Sequence, residues 1–311
     1  QLYILQARPG SRDIPAVRMF DLGRSQHDFS VGFSQTRAGH AVARHLVDHG
    51  AQVHLWGRRE AVLADAAAEA SASRPGSVHF HTVDVRDYAN VDETMGRIWA
   101  DHGPLTGVIN NAAANFIAQT KDLSPRAFEA VTSTVMNGSF HTTHAAGKRW
   151  IAEGLPGSVL STLTTWVWTG SAYVVPSAMA KAAVHSMTMS LAVEWAKHNI
   201  RVNAIASGPI PTDYAWEMLN PTDKSSVGAT QTDQIPAGRA GTIEELANLT
   251  MFLLSDACDY LTGQTVAMDG GQMLAGPGTF AGLNTLSDAD WQQIKETSKA
   301  ASAASKSQRS V

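Results

Sequence analysis

Two adjacent arginines, a run of small residues after a pair of asparagines, and a lysine four positions after a serine carry most of the chemistry this 311-residue sequence could perform. Trp56-Gly57-Arg58-Arg59 closes an apolar stretch, and paired guanidinium groups there offer forked donors to a phosphate. Asn110-Asn111-Ala112-Ala113 closes another, where small side chains let a ligand approach the backbone. Asn137 falls inside a helical stretch, where asparagine has poor propensity, so its presence asks for a reason. Ser177 and Lys181 share a second helical stretch, and Thr164, Trp166, Trp168 and Tyr173 precede them. Tyr173 and Ser177 have hydroxyls to donate, whereas the Trp166 indole donates a hydrogen bond but cannot deliver a proton at neutral pH.

The elements that must position these groups follow a simple alternation. From residue 39 onward, short apolar runs alternate with segments of helical period, the pattern of βαβ units and a parallel sheet covered on both faces. The predicted fold class is α/β, a doubly wound parallel sheet in a single domain. Strands are expected at 51–56, 77–83, 106–110, 157–161, 201–205 and 264–268, and helices at 39–49, 59–71, 90–102, 125–153, 176–198 and 242–254. Pro125 suits a first helical turn, and Thr242-x-x-Glu245 reads as a capping box. The stretch 209–237 is too irregular for core structure and reads as a lid over a substrate. The domain is expected over 19–272, with 1–18 an extension and 273–311 a tail carrying one amphipathic helix over 288–300. Trp291 in that tail is expected to cover a subunit contact.

Such a sheet needs an apolar first strand immediately before its phosphate loop. Residues 23–35 are polar where β-branched residues should stand, so the first strand reads as degraded and a sheet missing its central strand is expected.

Composition narrows the function classes. A formal charge of -4 leaves no basic footprint for nucleic acid or an anionic membrane. No window approaches the roughly 18 consecutive apolar residues of a membrane span, and Gln1-Leu-Tyr-Ile-Leu-Gln is too short and uncharged for a secretory leader. Cys258 is the single cysteine, which excludes an intrachain disulfide and suits a reducing compartment, so the cytoplasm is expected. The twelve histidines suggest no metal site. His79 and His81 share a strand face without a carboxylate at ligand spacing, and are expected at the surface.

In order and spacing, Asp84-Val85, Asn110-Asn111-Ala112-Ala113, Asn137, and Lys181 followed by Gly208-Pro209-Ile210 resemble a short-chain dehydrogenase/reductase. The resemblance covers residues 39–272, about three quarters of the chain. Asn110-Asn-Ala-Ala-Ala-Asn-Phe116, Val174-Val-Pro-Ser-Ala-Met-Ala-Lys181 and Ile235-Pro-Ala-Gly-Arg-Ala-Gly-Thr-Ile-Glu-Glu-Leu246 resemble its 2,4-dienoyl-CoA reductase branch. This implies a nicotinamide-dependent oxidoreductase, and Arg58 and Arg59 in place of an acidic residue favour NADP(H) over NAD. It implies Asp84 and Val85 at the adenine, and Asn111, Ala112 and Ala113 along the cofactor. Lys181 would bind the ribose hydroxyls and lower the pKa of a neighbouring acid. Gly208, Pro209, Ile210 and Thr212 would face the nicotinamide carboxamide. Asn137 would hold a water or the substrate carbonyl, and Thr164 would polarise that carbonyl. Asn115, Phe116, Trp166 and Trp168 are expected to line the substrate.

Two departures stand out. Ser177 replaces the tyrosine of the family's Tyr-x-x-x-Lys; the dienoyl branch also has serine there and takes its tyrosine from fifteen residues before the lysine, where this chain has Trp166. The acid is therefore Tyr173, Ser177 or a water held by Asn137. The family's Thr-Gly-x-x-x-Gly-x-Gly loop is replaced by Gly32-Phe-Ser-Gln-Thr-Arg-Ala-Gly39. Aligning Gly39 as the last glycine puts Arg37 at the second position and Phe33 at the first, which Gly32 reaches only with a one-residue insertion. Side chains there oppose the pyrophosphate, although Arg37 could itself bind phosphate. Weakened NADPH binding is expected. The expected function is reduction of an enoyl- or dienoyl-CoA, or a similar apolar conjugated substrate, in fatty acid metabolism. The alternatives are a carbonyl or alcohol oxidoreductase and a non-catalytic member that has lost cofactor binding. Expected partners are a small-molecule substrate and further copies of the chain, as dimer or tetramer, with no nucleic acid, membrane or metal.

Overall fold

The computed structural model describes residues 28–32, 37–211, 232–276, 286–294 and 296. Seven strands form one sheet in the order β3-β2-β1-β4-β5-β6-β7: β1 (Asp28–Gly32), β2 (Gln52–Gly57), β3 (Val78–Thr82), β4 (Gly107–Asn110), β5 (Gly157–Thr164), β6 (Ile200–Ser207) and β7 (Thr265–Met268). Every pairing is parallel. The alternation of short apolar runs with helical segments thus gives the doubly wound sheet it predicts.

The first strand corrects the reading of the sequence. Asp28–Gly32 is the central strand, with Phe29 opposite Val53 on one side and Gly107 on the other. A central strand bonds along both edges, and that pairing outweighs the poor strand composition of Asp-Phe-Ser-Val-Gly. The sheet therefore keeps its centre.

Successive strand residues point to opposite faces. Val53, Leu55, Ile109, Leu160 and Ile205 meet α1 (Arg37–Asp48), α2 (Glu60–Ala70) and α8 (Ile243–Leu254) in one core. Trp56, Val108, Val159 and Val202 meet α3 (Tyr88–His102), α5 (Gly138–Glu153) and α7 (Val175–Trp195) in the other. Local chemistry sets the helix ends. Asp87 accepts the backbone N–H groups of Ala89 and Asn90 to start α3, and Ser124 accepts that of Ala127 to start α4 (Pro125–Thr132). The Thr242–Glu245 capping box forms at α8, and Gly154 ends α5 with a left-handed φ of 67°.

The single helix expected over 125–153 is interrupted. A π-turn at Ser133–Asn137 separates α4 from α5. Thr132 and Thr134 turn their hydroxyls onto the Phe128 and Ala130 carbonyls, which competes with the regular helical ladder. Residues 288–294 and 296 are helical; residues 295 and 297–300 of the expected tail helix, like residues 212–231 of the expected lid, lie outside the described residues. Among the described residues, no helix is long and apolar enough to cross a membrane.

Candidate active site

In an open α/β sheet, the crevice beyond the carboxyl ends of the strands opens where successive connections leave for opposite faces. Here that point lies between β1, which leads to α1, and β4, which leads to α4 and α5. Gly32 ends β1 opposite Trp56 and Asn110. Arg37 opens α1 and Gly39 is buried in its first turn, while residues 33–36 lie outside the described residues.

Asn110 ends β4 almost fully buried, and its Nδ2 donates to Thr143 Oγ1 at 2.8 Å and Ser161 Oγ at 3.2 Å. It ties β4 to α5 and β5, a structural role the sequence did not single out. Asn111 Nδ2 beside it is buried without a partner. Ala112 and Ala113 follow outside any helix or strand; Asn115 is half-buried, and Phe116 packs against Val131, Val135 and Ala180.

β5 ends at Thr164, whose Oγ1 is buried without a partner. The short helix α6 (Trp166–Thr169) follows, with Trp166 half-buried and Trp168 exposed, edge-on to His185 at 5.8 Å. Tyr173 adopts a left-handed φ of 64° and is 60% exposed, and its carbonyl accepts the Ala118 N–H. Four residues on, Ser177 is 1% exposed and its Oγ has no partner. Lys181 lies one turn further along α7, buried, with Nζ donating to the Thr162 carbonyl at 3.2 Å. Burial pulls its ammonium down to about 8.

Asn137 sits exposed at the end of the π-turn. The following Gly138 explains why the helix is small here: a β-carbon on it would fall 2.7 Å from Val85 Cγ2. Gly138 is a second residue the sequence reading missed, because the group that demands it, Val85, is remote in the chain. Arg58 and Arg59 stand exposed after β2. The Asp84 carboxylate accepts from Arg86 Nε at 2.9 Å, and that guanidinium holds it below its ordinary value. Any adenine would share Asp84 with Arg86.

At the far side, the Gly208 N–H donates to the Met268 carbonyl, Pro209 accepts the Gly241 N–H at 3.0 Å, and Ile210 packs on the first core. Thr212 lies outside the described residues. The orphaned buried atoms Asn111 Nδ2, Thr164 Oγ1 and Ser177 Oγ suit a polar ligand seated across β4, β5 and α7. A nicotinamide ribose has the donors and acceptors to meet them.

His79 and His81, expected at the surface, are half-buried. They stack on His54, which is fully buried, and His79 also meets His102. Among the described residues, no group of three or more His, Cys, Asp or Glu side chains could hold a metal ion.

A family model described as enoyl-(acyl carrier protein) reductase matches residues 35–273. The chain is 39% identical over 237 residues to a probable 2,4-dienoyl-CoA reductase of Bacillus subtilis (strain 168), covering 76% of this chain and 92% of that one. It is 38% identical over 263 residues to an uncharacterised oxidoreductase of Caenorhabditis elegans, covering 84% of each. The crystal structure of a short chain dehydrogenase from Bacillus anthracis superposes with a TM-score of 0.72 at 36% identity, covering 79% of this chain and 96% of that one. The chain belongs to the short-chain dehydrogenase/reductase superfamily, and within it is similar to the 2,4-dienoyl-CoA reductases.

Proposed function

We propose that this oxidoreductase uses NADPH to reduce an enoyl- or dienoyl-thioester, or a similar apolar conjugated substrate. The observation that carries the reading is the convergence of Asn111, Thr164 and Ser177, with unpartnered buried polar atoms, beside the buried Lys181. Likeness to the dienoyl-CoA reductases supports the substrate class.

The groups that would hold the cofactor are distributed along the crevice. Gly32, Arg37 and Gly39 flank the pyrophosphate, with the α1 N-terminus contributing its backbone donors. Arg58 and Arg59 take the 2′-phosphate, and Asp84 and Val85 border the adenine. Asn111, Ala112 and Ala113 run beneath the ribose held by Lys181, and Gly208, Pro209, Ile210 and Thr212 face the carboxamide. When bound, the reduced nicotinamide supplies a hydride.

The chain's own residues do the rest. Asn137 holds a water or the thioester carbonyl, and Thr164 Oγ1 donates to the developing enolate. Ser177 delivers the proton: it is buried at the crevice, whereas Tyr173 is 60% exposed on a strained turn. Lys181 lies one turn away with a depressed ammonium, suited to reload that hydroxyl. Asn115, Phe116, Trp166 and Trp168 wall the substrate. The same reading keeps 19–272 as the domain and places the chain in the cytoplasm and in fatty acid metabolism. It assembles as a dimer or tetramer, which the exposed Phe140, Met179 and Val193 on α5 and α7 support.

The first test is a titration with NADPH and NADH, read by nicotinamide and tryptophan fluorescence. Saturable micromolar NADPH binding followed by turnover of a dienoyl-thioester supports the reading. Turnover of simple ketones without coenzyme A replaces it with a carbonyl reductase, and no binding of either nucleotide removes the enzyme reading.

A further inference from the structure

Four histidines from three elements meet on the face of the sheet that α3 covers. His54 of β2 is fully buried, and its Nδ1 lies 3.0 Å from Nε2 of His81 on β3. His79 of β3 stacks on His54 at 5.1 Å, and His102 at the end of α3 lies 4.9 Å from His54 and 4.2 Å from His79. The β2–β3 register places His54 opposite His79 and Trp56 opposite His81, so the cluster sits inside the pairing of the sheet's outermost strand.

The chemistry of this arrangement is sensitive to one proton. A hydrogen bond between two imidazoles needs one N–H and one lone pair, so the neutral His54–His81 pair is satisfied. If His54 donates from Nδ1, an added proton must go to its Nε2, which is buried without a partner. A proton placed instead on His81 Nε2 removes the lone pair and with it the bond. The other charged groups facing the cluster are Arg97 and Asp101 of α3, which act on His81 with opposite signs. Burial and the neighbouring rings accordingly push His54 down to about 3 and His81 to about 4.

The strands run directly from the cluster to the crevice. β2 continues into Arg58 and Arg59, β3 continues into Asp84, and the Val83 N–H donates to the Gly57 carbonyl to tie the two ends together. We propose that His54, His79, His81 and His102 form a proton-operated latch: neutral, it closes the β2–β3 edge, and protonated, it releases that edge and the two strand ends beyond it. The latch stands without the cofactor reading.

The sign follows from linkage. Both folded values lie below the ordinary 6.5, so the opened state takes up protons first as the pH falls. Closure is complete above about pH 6.5 and is lost progressively toward pH 4 and below. From pH 7.5 to 5.5 the opening equilibrium rises about 10-fold through His54, and up to about 100-fold if His81 contributes fully.

Amide hydrogen exchange at pH 7.5 and 5.5, corrected for intrinsic rates, tests this on the intact protein. Protection of the β3 amides should fall about 10- to 100-fold at pH 5.5 while that of β5 and β6 holds. The double substitution His54→Leu with His81→Leu should abolish this difference. If that variant does not fold, NMR titration of the wild-type rings decides: His54 titrating near 6.5 overturns the latch, and well below supports it. Loss of protection spread equally over all strands, or none at pH 5.5, also overturns it. Zinc chloride protecting β3 at pH 7.5 would reassign the cluster to a metal.

Discussion

Gly208 stands so close to Asp269 that a β-carbon on it would fall 2.8 Å from the Asp269 Cα, a backbone atom that cannot rotate aside. This contact seats the end of β6 against the turn after β7, and with it the segment Pro209-Ile210 at the crevice. Gly208→Ala is expected to destabilise the fold by about 1–3 kcal/mol through overpacking. On the proposed reading, in which the displaced segment faces the carboxamide, it should also weaken NADPH binding. Urea denaturation and a cofactor titration on the same variant check the two effects.

Lys181 sets stability against function. Its folded value of about 8 lies below the ordinary 10.5, so burial of its charge opposes folding at neutral pH, by on the order of 3 kcal/mol. That cost is complete below about pH 8 and vanishes as the pH rises to about 10.5, where the unfolded chain also loses the proton. Lys181→Met should therefore raise Tm at pH 7, with an advantage that shrinks toward pH 10, while abolishing NADPH-dependent turnover. Calorimetry at several pH values checks the sign; an unchanged or lowered Tm at pH 7 contradicts it.

Arg58 and Arg59 are exposed and free to reorient onto a phosphate, so their removal should act on cofactor choice and spare the fold. Replacing both by alanine is expected to weaken NADPH by about 10- to 100-fold and NADH by only a few fold. Equal losses for both nucleotides would show that the arginines do not read the 2′-phosphate.

Asn110 bonds Thr143 and Ser161 from a buried position. Asn110→Ala leaves two buried hydroxyls without their donor and should cost about 2–4 kcal/mol. Because those bonds join β4, α5 and β5 beneath the crevice, turnover should fall even at temperatures where the variant is folded. Chemical denaturation and steady-state kinetics separate the two losses.

Much of the architecture was readable in the chain itself. Period and punctuation located six strands and the helices between them, because apolar alternation, Pro125 and the Thr242–Glu245 box act within a few residues. The ordered cluster Asp84, Asn111, Asn137, Lys181 and Gly208 likewise showed the family, since each position is fixed by its own element. The first strand escaped because its stability comes from β2 and β4 on either side rather than from Asp-Phe-Ser-Val-Gly. The need for a glycine at 138 escaped because its cause, Val85, lies more than fifty residues away.

What the sequence determined by itself, then, was the order of elements and the identity of the groups at their ends, both of which are local properties. Tertiary structure alone decided which polar groups are buried without partners. It hid Ser177 Oγ while leaving Tyr173 exposed, and it drew His54, His79, His81 and His102 into one cluster. Burial and proton affinity depend on what distant elements place around a side chain, and residue spacing carries no record of that.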